Sequence, residues 1–220
     1  MTTTTVNSIT DWDDYSQSFQ SVMPSQMLAL NTEASEHLQG HAVDFGCGGG
    51  KIIPFINAQS KVKSYTGIDA SIDMVKKARW MARQFPEKDA TIIHAKIEET
   101  SLHPFDSGLS INSYYTWPRP DEILTHIHRS LKPSATFVLA TINNRLDMPA
   151  LLNSAARECI AHPHWAEFCQ HNLAIDQSND IRLLTMDQLI AEVRGIGFAV
   201  KEAHQKLYEG GLNLLILEKI

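Results

Sequence analysis

The sequence lacks the features that mark several protein classes. It contains no run of about 18 apolar residues, so we expect no transmembrane helix. Its first residues lack the basic and apolar regions of a signal peptide. No basic run occurs and the formal net charge is −6, which disfavours a nucleic-acid substrate, because phosphate backbones are held mainly by lysine and arginine. We therefore expect a cytoplasmic protein that binds neither membranes nor nucleic acid.

Cysteine is also scarce, and the three cysteines do not form a disulfide framework. Hydrophobic residues make up 43% and charged residues 20% of the chain, as is typical of a globular protein. No internal repeat or interdomain linker divides the 220 residues, a length that suits one domain with a full core. We therefore predict that residues 1–220 form a single domain.

The most informative segment is the stretch 43–50, Val-Asp-Phe-Gly-Cys-Gly-Gly-Gly. It predicts a buried strand and a glycine-rich turn, with a helix starting at Lys51. Glycines at 46, 48 and 50 allow the backbone to approach a ligand where a Cβ would collide. Asp69 then ends the next strand-like run, 64–69, where a carboxylate can accept both hydroxyls of a ribose. The two segments together predict a cofactor that contains a nucleoside.

The spacing of the glycines disfavours a dinucleotide. The NAD and FAD fingerprint is G-x-G-x-x-G, and the frames that start at Gly46 and Gly48 reach Lys51 and Ile53 instead of a third glycine. The Asp-x-Gly-x-Gly-x-Gly form, followed by Asp69, resembles motifs I and II of class I S-adenosylmethionine (SAM)-dependent methyltransferases. That resemblance implies SAM as the cofactor.

The pattern of apolar segments predicts an α/β fold. Helical segments separate the first five strands, as in right-handed parallel crossovers, and the last two strands flank Gly210 and Gly211 as an antiparallel hairpin. We expect a Rossmann-like, doubly wound, seven-stranded and mostly parallel sheet with a C-terminal antiparallel hairpin and helices on both faces. The predicted strands are residues 41–45, 62–68, 91–95, 108–113, 135–142, 198–206 and 212–219.

A second block of residues strengthens the resemblance. Phe105-Asp106, the stretch 112–120 (Asn-Ser-Tyr-Tyr-Thr-Trp-Pro-Arg-Pro) and Leu131-Lys132-Pro133 resemble a pattern of small-molecule methyltransferases in the broad methyltransferase-domain family. The resemblance covers roughly residues 40–143 and 183–219. It implies transfer of a methyl group from SAM to an oxygen, nitrogen, sulfur or carbon atom of a small molecule by in-line displacement.

The resemblance also implies a set of cofactor-binding residues. The glycine loop would lie beneath the methionine end of SAM, and Asp44 would hold the loop or the amino group. Asp69 would accept the ribose hydroxyls, and Asn112 would face the methionine portion. The full set is Asp44, Gly46, Cys47, Gly48, Gly50, Asp69, Ala70, Met74, Ile97, Glu98 and Asn112.

One position departs from the family pattern. Many relatives carry Gly-Asp after the third strand, where the aspartate accepts a hydrogen bond from the adenine N6 amine, but this chain has Ala95-Lys96. Lysine cannot accept that bond. Three explanations stay open: Glu98 replaces the aspartate, packing and backbone groups alone hold the adenine, or the affinity for SAM is reduced and the fold serves another role.

Candidate substrate residues follow the strands at the carboxyl edge of the sheet, where ligands bind in such folds. Tyr115 and Trp117 follow the fourth strand, and Arg145 follows the fifth. We predict Tyr115 as a catalytic residue and the other two as substrate contacts, although Trp117 also suits packing and Arg145 a surface ion pair. Relatives often close an N-terminal lid over SAM, a role for residues 1–40, and Tyr15 would contact the substrate there.

The segment 146–180 is predicted to be a helical insertion. It contains Cys159, His162, His164, Cys169 and His171, a density that suggests zinc, but the spacing matches no known site and Pro163 interrupts the helix. We predict no metal. The favoured interpretation is a substrate lid, in which His164 acts as a base and Trp165 contacts the substrate.

Three other functions stay open beside small-molecule methylation. The scaffold suits a SAM-binding protein, or a SAM-assisted enzyme, that transfers no methyl group. A protein or RNA methyltransferase is disfavoured, because residues 112–115 lack the Asn/Asp-Pro-Pro-Tyr/Phe signature. The glycine spacing disfavours an NAD-dependent oxidoreductase. We expect a monomer or a homodimer.

Overall fold

The fold is a seven-stranded sheet surrounded by eight helices, in a computed structural model that describes residues 12–101 and 104–220 and the side chains from residue 16 onward. The strand order is β3-β2-β1-β4-β5-β7-β6. The strands are β1 (Gly40–Phe45), β2 (Val62–Asp69), β3 (Asp89–His94), β4 (Phe105–Ile111), β5 (Leu131–Ile142), β6 (Phe198–Lys206) and β7 (Leu212–Lys219). The helices are α1 (Trp12–Ser21), α2 (Ser25–Glu36), α3 (Ile53–Ala58), α4 (Ile72–Gln84), α5 (Pro120–Ser130), α6 (Met148–Cys159), α7 (Trp165–Asp176) and α8 (Met186–Ile196).

The direction of the strands confirms the predicted fold class. Strands β1 to β5 pair in parallel, whereas β7 is antiparallel to both β5 and β6. Because β2 lies on one side of β1 and β4 on the other, the chain changes direction across the sheet at β1. A crevice opens at such a point beyond the carboxyl ends of the strands.

Helices cover both faces of the sheet, as the continuous apolar strands require. Ala42 points to a cluster that includes residues of α2, α3, α4 and α6, and its neighbour Val43 points to a cluster that includes residues of α5 and α8. Strand β4 is unusually polar, and its buried serines donate hydrogen bonds to neighbouring backbone carbonyl oxygens. Ser107 Oγ donates to Gln39 O at 2.7 Å, and Ser110 Oγ donates to Phe45 O at 2.8 Å.

Capping residues set several helix boundaries as their chemistry predicts. Ser71 accepts from the Met74 N–H at the start of α4, and Thr185 forms a capping box at the start of α8. Helix α3 begins two residues later than predicted, because Gly50 has a φ of +77° and the following residues form a tight turn. The insertion 146–180 contains α6 and α7. In the described part of the chain, no helix is long and apolar enough to cross a membrane.

Candidate functional site

A cavity of about 450 Å³ opens beyond the carboxyl ends of β1, β2 and β4. Every predicted cofactor residue except Gly50 lines it, so the fold brings these distant segments together. The predicted residues in its wall are Asp44, Gly46, Cys47, Gly48, Asp69, Ala70, Met74, Ile97, Glu98 and Asn112.

The glycine loop adopts backbone conformations that residues with a Cβ rarely adopt. Gly46 and Gly48 have φ angles of +80° and +51°. A Cβ at Gly46 would lie 2.2 Å from the Ser113 Oγ, and one at Gly48 would enter the space beside Phe19 and Met74, which line the cavity. A Cβ at Gly50 would meet Ile53 and the α4 backbone, so this glycine serves helix packing instead.

Asp69 connects the glycine loop to the start of α4. Its Oδ2 accepts from the Gly48 N–H at 2.7 Å, and its Oδ1 accepts from the Ser71 N–H at 2.9 Å. The carboxylate is therefore held in one orientation at the cavity wall, where it faces any ligand that enters.

Two buried acceptor atoms in this wall lack a partner among the described residues. Tyr65 donates to Oδ2 of the buried Asp44 at 3.0 Å, and Oδ1 has no hydrogen bond. Burial raises the pKa of Asp44 to about 7, against the opposing effect of the Tyr65 hydrogen bond. Asn112 Oδ1 is likewise unpaired, while its Nδ2 donates to the Tyr208 hydroxyl at 3.0 Å. Unpaired buried acceptors are costly, so these atoms fit a ligand that brings donors, such as the amino group of SAM.

Lys96 and Glu98 both lie in the wall of the first cavity, after β3. The Lys96 ammonium lies 3.2 Å from the Glu99 carboxylate in a largely exposed ion pair. Glu98 lines the cavity, as Lys96 does, and its carboxylate lies 4.0 Å from the Arg119 guanidinium. Glu98 thus supplies an acceptor in the region where the family aspartate is missing.

A second, smaller cavity adjoins the first. Its volume is about 70 Å³, and it shares Phe19, Met27 and Asn112 with the first cavity. Side chains from the end of β5 and from helices α6 and α7 make its wall mainly apolar. These residues are Ile142, Met148, Leu151, Leu152, Ala155, Phe168 and Ile175.

The predicted catalytic and substrate residues are spread over several places. Tyr115 lines the second cavity and Trp117 the first. Arg145, His164 and Trp165 line neither of the two cavities. Arg145 donates to Gln205, and Trp165 stacks on Phe168 with ring centroids 5.8 Å apart. The Tyr15 side chain lies outside the described part of the chain.

The histidines of the segment 159–171 contact nearby residues, and His171 Nδ1 also lies 3.5 Å from the Ser18 hydroxyl in α1. His164 Nδ1 lies 3.2 Å from a Glu167 carboxylate oxygen, and the His162 and His164 rings are 5.9 Å apart. Within residues 12–101 and 104–220, no group of three or more His, Cys, Asp or Glu side chains is placed to hold a metal ion.

Sequence reasoning missed two residues of the site, Lys51 and Tyr208. Lys51 is buried in the wall of the first cavity, where its Nζ donates to the Val22 carbonyl at 2.8 Å. Burial lowers the pKa of Lys51 to about 7. Tyr208 lines the second cavity from a turn with positive φ angles before β7. A lysine next to a glycine loop and a tyrosine in a hairpin connection normally suggest exposed positions, so no sequence signal marks either residue.

The glycine loop, the fixed carboxylate and the position at the strand reversal define a protein that binds a nucleoside-containing cofactor. Residues 36–210 match the sequence profile of a family described as "Methyltransferase domain". The chain belongs to this methyltransferase domain family. The resemblance to SAM-dependent methyltransferases noted in the sequence is therefore confirmed, and so is SAM as the cofactor.

One curated relative and two solved structures illustrate the similarity. A fatty-acid O-methyltransferase of Mycolicibacterium smegmatis is 27% identical over 130 residues, which are 57% of this chain and only 46% of that protein. Mycolic acid cyclopropane synthase CmaA1, crystallised with SAH and CTAB, aligns with a TM-score of 0.65 at 16% identity, over 88% of this chain and 84% of its own. The cyclase SpnF aligns with a TM-score of 0.64 at 16% identity, over 87% and 80% of the two chains. At these identities the two structures support the fold alone.

Proposed function

We propose that this protein transfers a methyl group from SAM to an oxygen atom of a small molecule whose apolar body occupies the second cavity. The observation that carries this proposal is the junction of the two cavities at Phe19, Met27 and Asn112. One cavity presents the cofactor residues, and the other is apolar. The similarity to a fatty-acid O-methyltransferase supports oxygen as the acceptor atom.

The residues of the first cavity have complementary binding roles. Asp69 accepts the ribose hydroxyls, and Asp44 Oδ1 and Asn112 Oδ1 accept from the amino group. Glu98 accepts from the adenine amine. Bound SAM supplies an electrophilic methyl group on a sulfonium, so the protein has to align the acceptor and exclude water. Alignment of this kind is worth roughly 7–11 kcal/mol of an activation barrier.

The second cavity offers hydrogen-bond donors instead of a strong base. Burial raises the pKa of Tyr115, and it raises that of Tyr208 to about 12, so both hydroxyls keep their protons at neutral pH. Hydrogen bonds from Ser25 hold the pKa of Glu158, at the edge of this cavity, below its usual range. Tyr115 therefore acts as a donor that orients the acceptor, and helices α6 and α7 act as the substrate cover.

Filling the second cavity is expected to block the acceptor and spare the cofactor. Ala155→Phe places a ring among the apolar wall residues, and we expect the KM for the acceptor to rise about tenfold or more. The dissociation constant of S-adenosylhomocysteine (SAH), measured by calorimetry, should stay within about twofold of the wild-type value.

Ala156→Phe is the matched control, because the next residue of α6 lines neither cavity. If Ala155→Phe leaves the acceptor KM unchanged in a folded protein, the acceptor does not enter this cavity and the proposal fails.

The pKa of Asp44 gives SAH binding a pH dependence of known sign. Below about pH 7 the Asp44 carboxyl is protonated and neutral, whereas a bound amino group prefers the carboxylate. We expect SAH affinity, measured by calorimetry, to increase about tenfold from pH 6 to pH 8. The same shift makes the free protein lose stability as pH rises from 3.8 to about 7, because the unfolded carboxyl ionises first.

Asp44→Asn is the control for this pH dependence, because Lys51 titrates in the same range. Tyr65, Cys47 and Asp69 also face Asp44, and the first two keep their protons because burial raises their pKa values. The asparagine variant should bind SAH with a flat profile between pH 6 and pH 8. If the SAH affinity of this variant changes with pH as that of the wild type does, a group other than Asp44 causes the pH dependence.

A further inference from the structure

We propose, building on the methyltransferase function above, that the acceptor is a carboxylic acid with an apolar body. Its carboxylate lies at the junction of the two cavities, between the Lys51 ammonium and the hydroxyls of Tyr115 and Tyr208. The product is then a methyl ester.

The first support is an ammonium group without a counter-charge. Lys51 Nζ donates to the Val22 carbonyl and lies 3.1 Å from Met27 Sδ and 3.9 Å from the centroid of the Phe19 ring. Among the described residues, it forms no ion pair with a carboxylate. A buried charge of this kind is costly until it is paired, and an ammonium can donate three hydrogen bonds. Lys51 is therefore suited to receive an anion.

The position of this ammonium connects it to the second cavity. Phe19 and Met27, which both contact Nζ, line both cavities. An anion that meets Lys51 at this point can therefore have its remaining atoms in the second cavity.

The second cavity also offers hydrogen-bond donors close to the junction. The Tyr208 hydroxyl accepts from Asn112 Nδ2, which leaves its own proton free to be donated to a ligand. Tyr115 lies beside it in the same wall. Two protonated hydroxyls in the wall of the second cavity and an ammonium in the wall of the first favour a ligand end that accepts hydrogen bonds and is negatively charged.

The apolar wall beyond the tyrosines defines the rest of the ligand. Leucine, methionine, isoleucine and phenylalanine side chains surround this space, and they favour a hydrocarbon over a polar group. Glu158, at the outer edge of the cavity, is already hydrogen-bonded to Ser25. The ligand therefore has one anionic end and an apolar body.

A carboxylate acceptor needs no base for the transfer. One carboxylate oxygen forms the new C–O bond to the methyl carbon, and the C–S bond breaks with its electron pair passing to sulfur. The positive charge of the sulfonium and the negative charge of the carboxylate are both lost, and no proton moves. An alcohol would first have to lose a proton to a base, a step that a carboxylate does not need.

The test is calorimetric titration of SAH-loaded protein with octanoate, using wild type, Lys51→Met and Tyr208→Phe. Methionine keeps an unbranched chain without the charge, and Lys61→Met, an exposed lysine ahead of β2, is the control. We expect octanoate to bind the wild type and the control, and to bind Lys51→Met about 30-fold more weakly, as the loss of a charged hydrogen bond predicts. Tyr208→Phe should weaken binding in the same direction and remains informative if Lys51→Met fails to fold.

A second measurement shows whether Lys51 binds the carboxylate of the acceptor or the carboxylate of the cofactor. We expect SAH affinity to change by less than about threefold in Lys51→Met. If SAH affinity collapses while octanoate binding to SAH-loaded protein persists, Lys51 holds the cofactor's own carboxylate and the inference is wrong.

A comparison of acceptors separates this inference from the proposed function. Octanoate, 1-octanol and octylamine are offered with SAM, and product masses are recorded. Methyl octanoate as the main product supports the inference. Methylation of the alcohol but not the acid overturns the inference and keeps the proposed function. Failure of the proposed function appears as methylation of octylamine alone, or as no methylated product from any acceptor.

Discussion

Asp69→Ala is expected to weaken SAH binding at least about 100-fold. The carboxylate would lose its bonds to the ribose hydroxyls, and hydrogen bonds to a charged group contribute about 1.5–3 kcal/mol each. The substitution also removes the acceptor for the Gly48 and Ser71 N–H groups, so the glycine loop loses its connection to α4. Calorimetric titration with SAM and with SAH measures both effects.

Asp73→Asn serves as the matched control for Asp69→Ala. Asp73 lies in the first turn of α4, where it pairs with Lys76 at the surface and lines neither cavity. Its substitution should leave SAH affinity unchanged. Micromolar SAH binding by a folded Asp69→Ala protein would show that the ribose is held elsewhere.

Gly46→Ala is expected to destabilise the protein by about 3 kcal/mol and to abolish SAH binding. The alanine Cβ would lie 2.2 Å from the Ser113 Oγ, and the residue has a φ of +80°, which an L side chain resists by about 1–2 kcal/mol. Ser113 accepts a hydrogen bond from Trp117 Nε1 at 2.9 Å, so its displacement also disturbs the cavity wall. We expect the thermal midpoint to fall by about 6–12 °C.

Gly195→Ala is the matched control for Gly46→Ala. Gly195 lies within α8, where an added Cβ meets no atom within 4 Å. Alanine should stabilise the helix by about 0.5–1 kcal/mol. If the two alanine variants have the same thermal midpoint, the conformation of the glycine loop described above is wrong.

The sequence allowed most of the fold to be predicted because its signals are local. The glycine loop ends β1, Ser71 and Thr185 cap their helices, and the glycines before β7 precede an antiparallel strand. The predicted cofactor residues converge for a related reason, since the carboxyl ends of parallel strands meet at one edge of the sheet. Their individual binding roles remain predictions, as do the N-terminal lid and the oligomeric state.

The residues around the second cavity and its junction with the first could not be predicted in the same way, because contacts between residues far apart in the sequence bring them together. Lys51 is buried by Phe19 and Met27, which precede it by more than twenty residues. Tyr208 reaches Asn112 from the other end of the chain. The sequence predicts His164 and Trp165 as site residues from their chemistry, but a helical segment alone does not fix which of its faces meets the cofactor. In the structure, Leu152 and Ala155 of this segment line the second cavity.

The most direct test of the proposed function is the stoichiometry of methyl transfer. Purified protein is incubated with isotopically labelled SAM and a panel of aliphatic acids, alcohols, amines and thiols, and SAH and methylated product are both quantified by mass spectrometry. The proposed function predicts one labelled methyl group on an oxygen atom of the acceptor for each SAH formed. Tight SAH binding without SAH formation from SAM, whichever acceptor is offered, would contradict it and would point to a SAM-binding protein that transfers no methyl group.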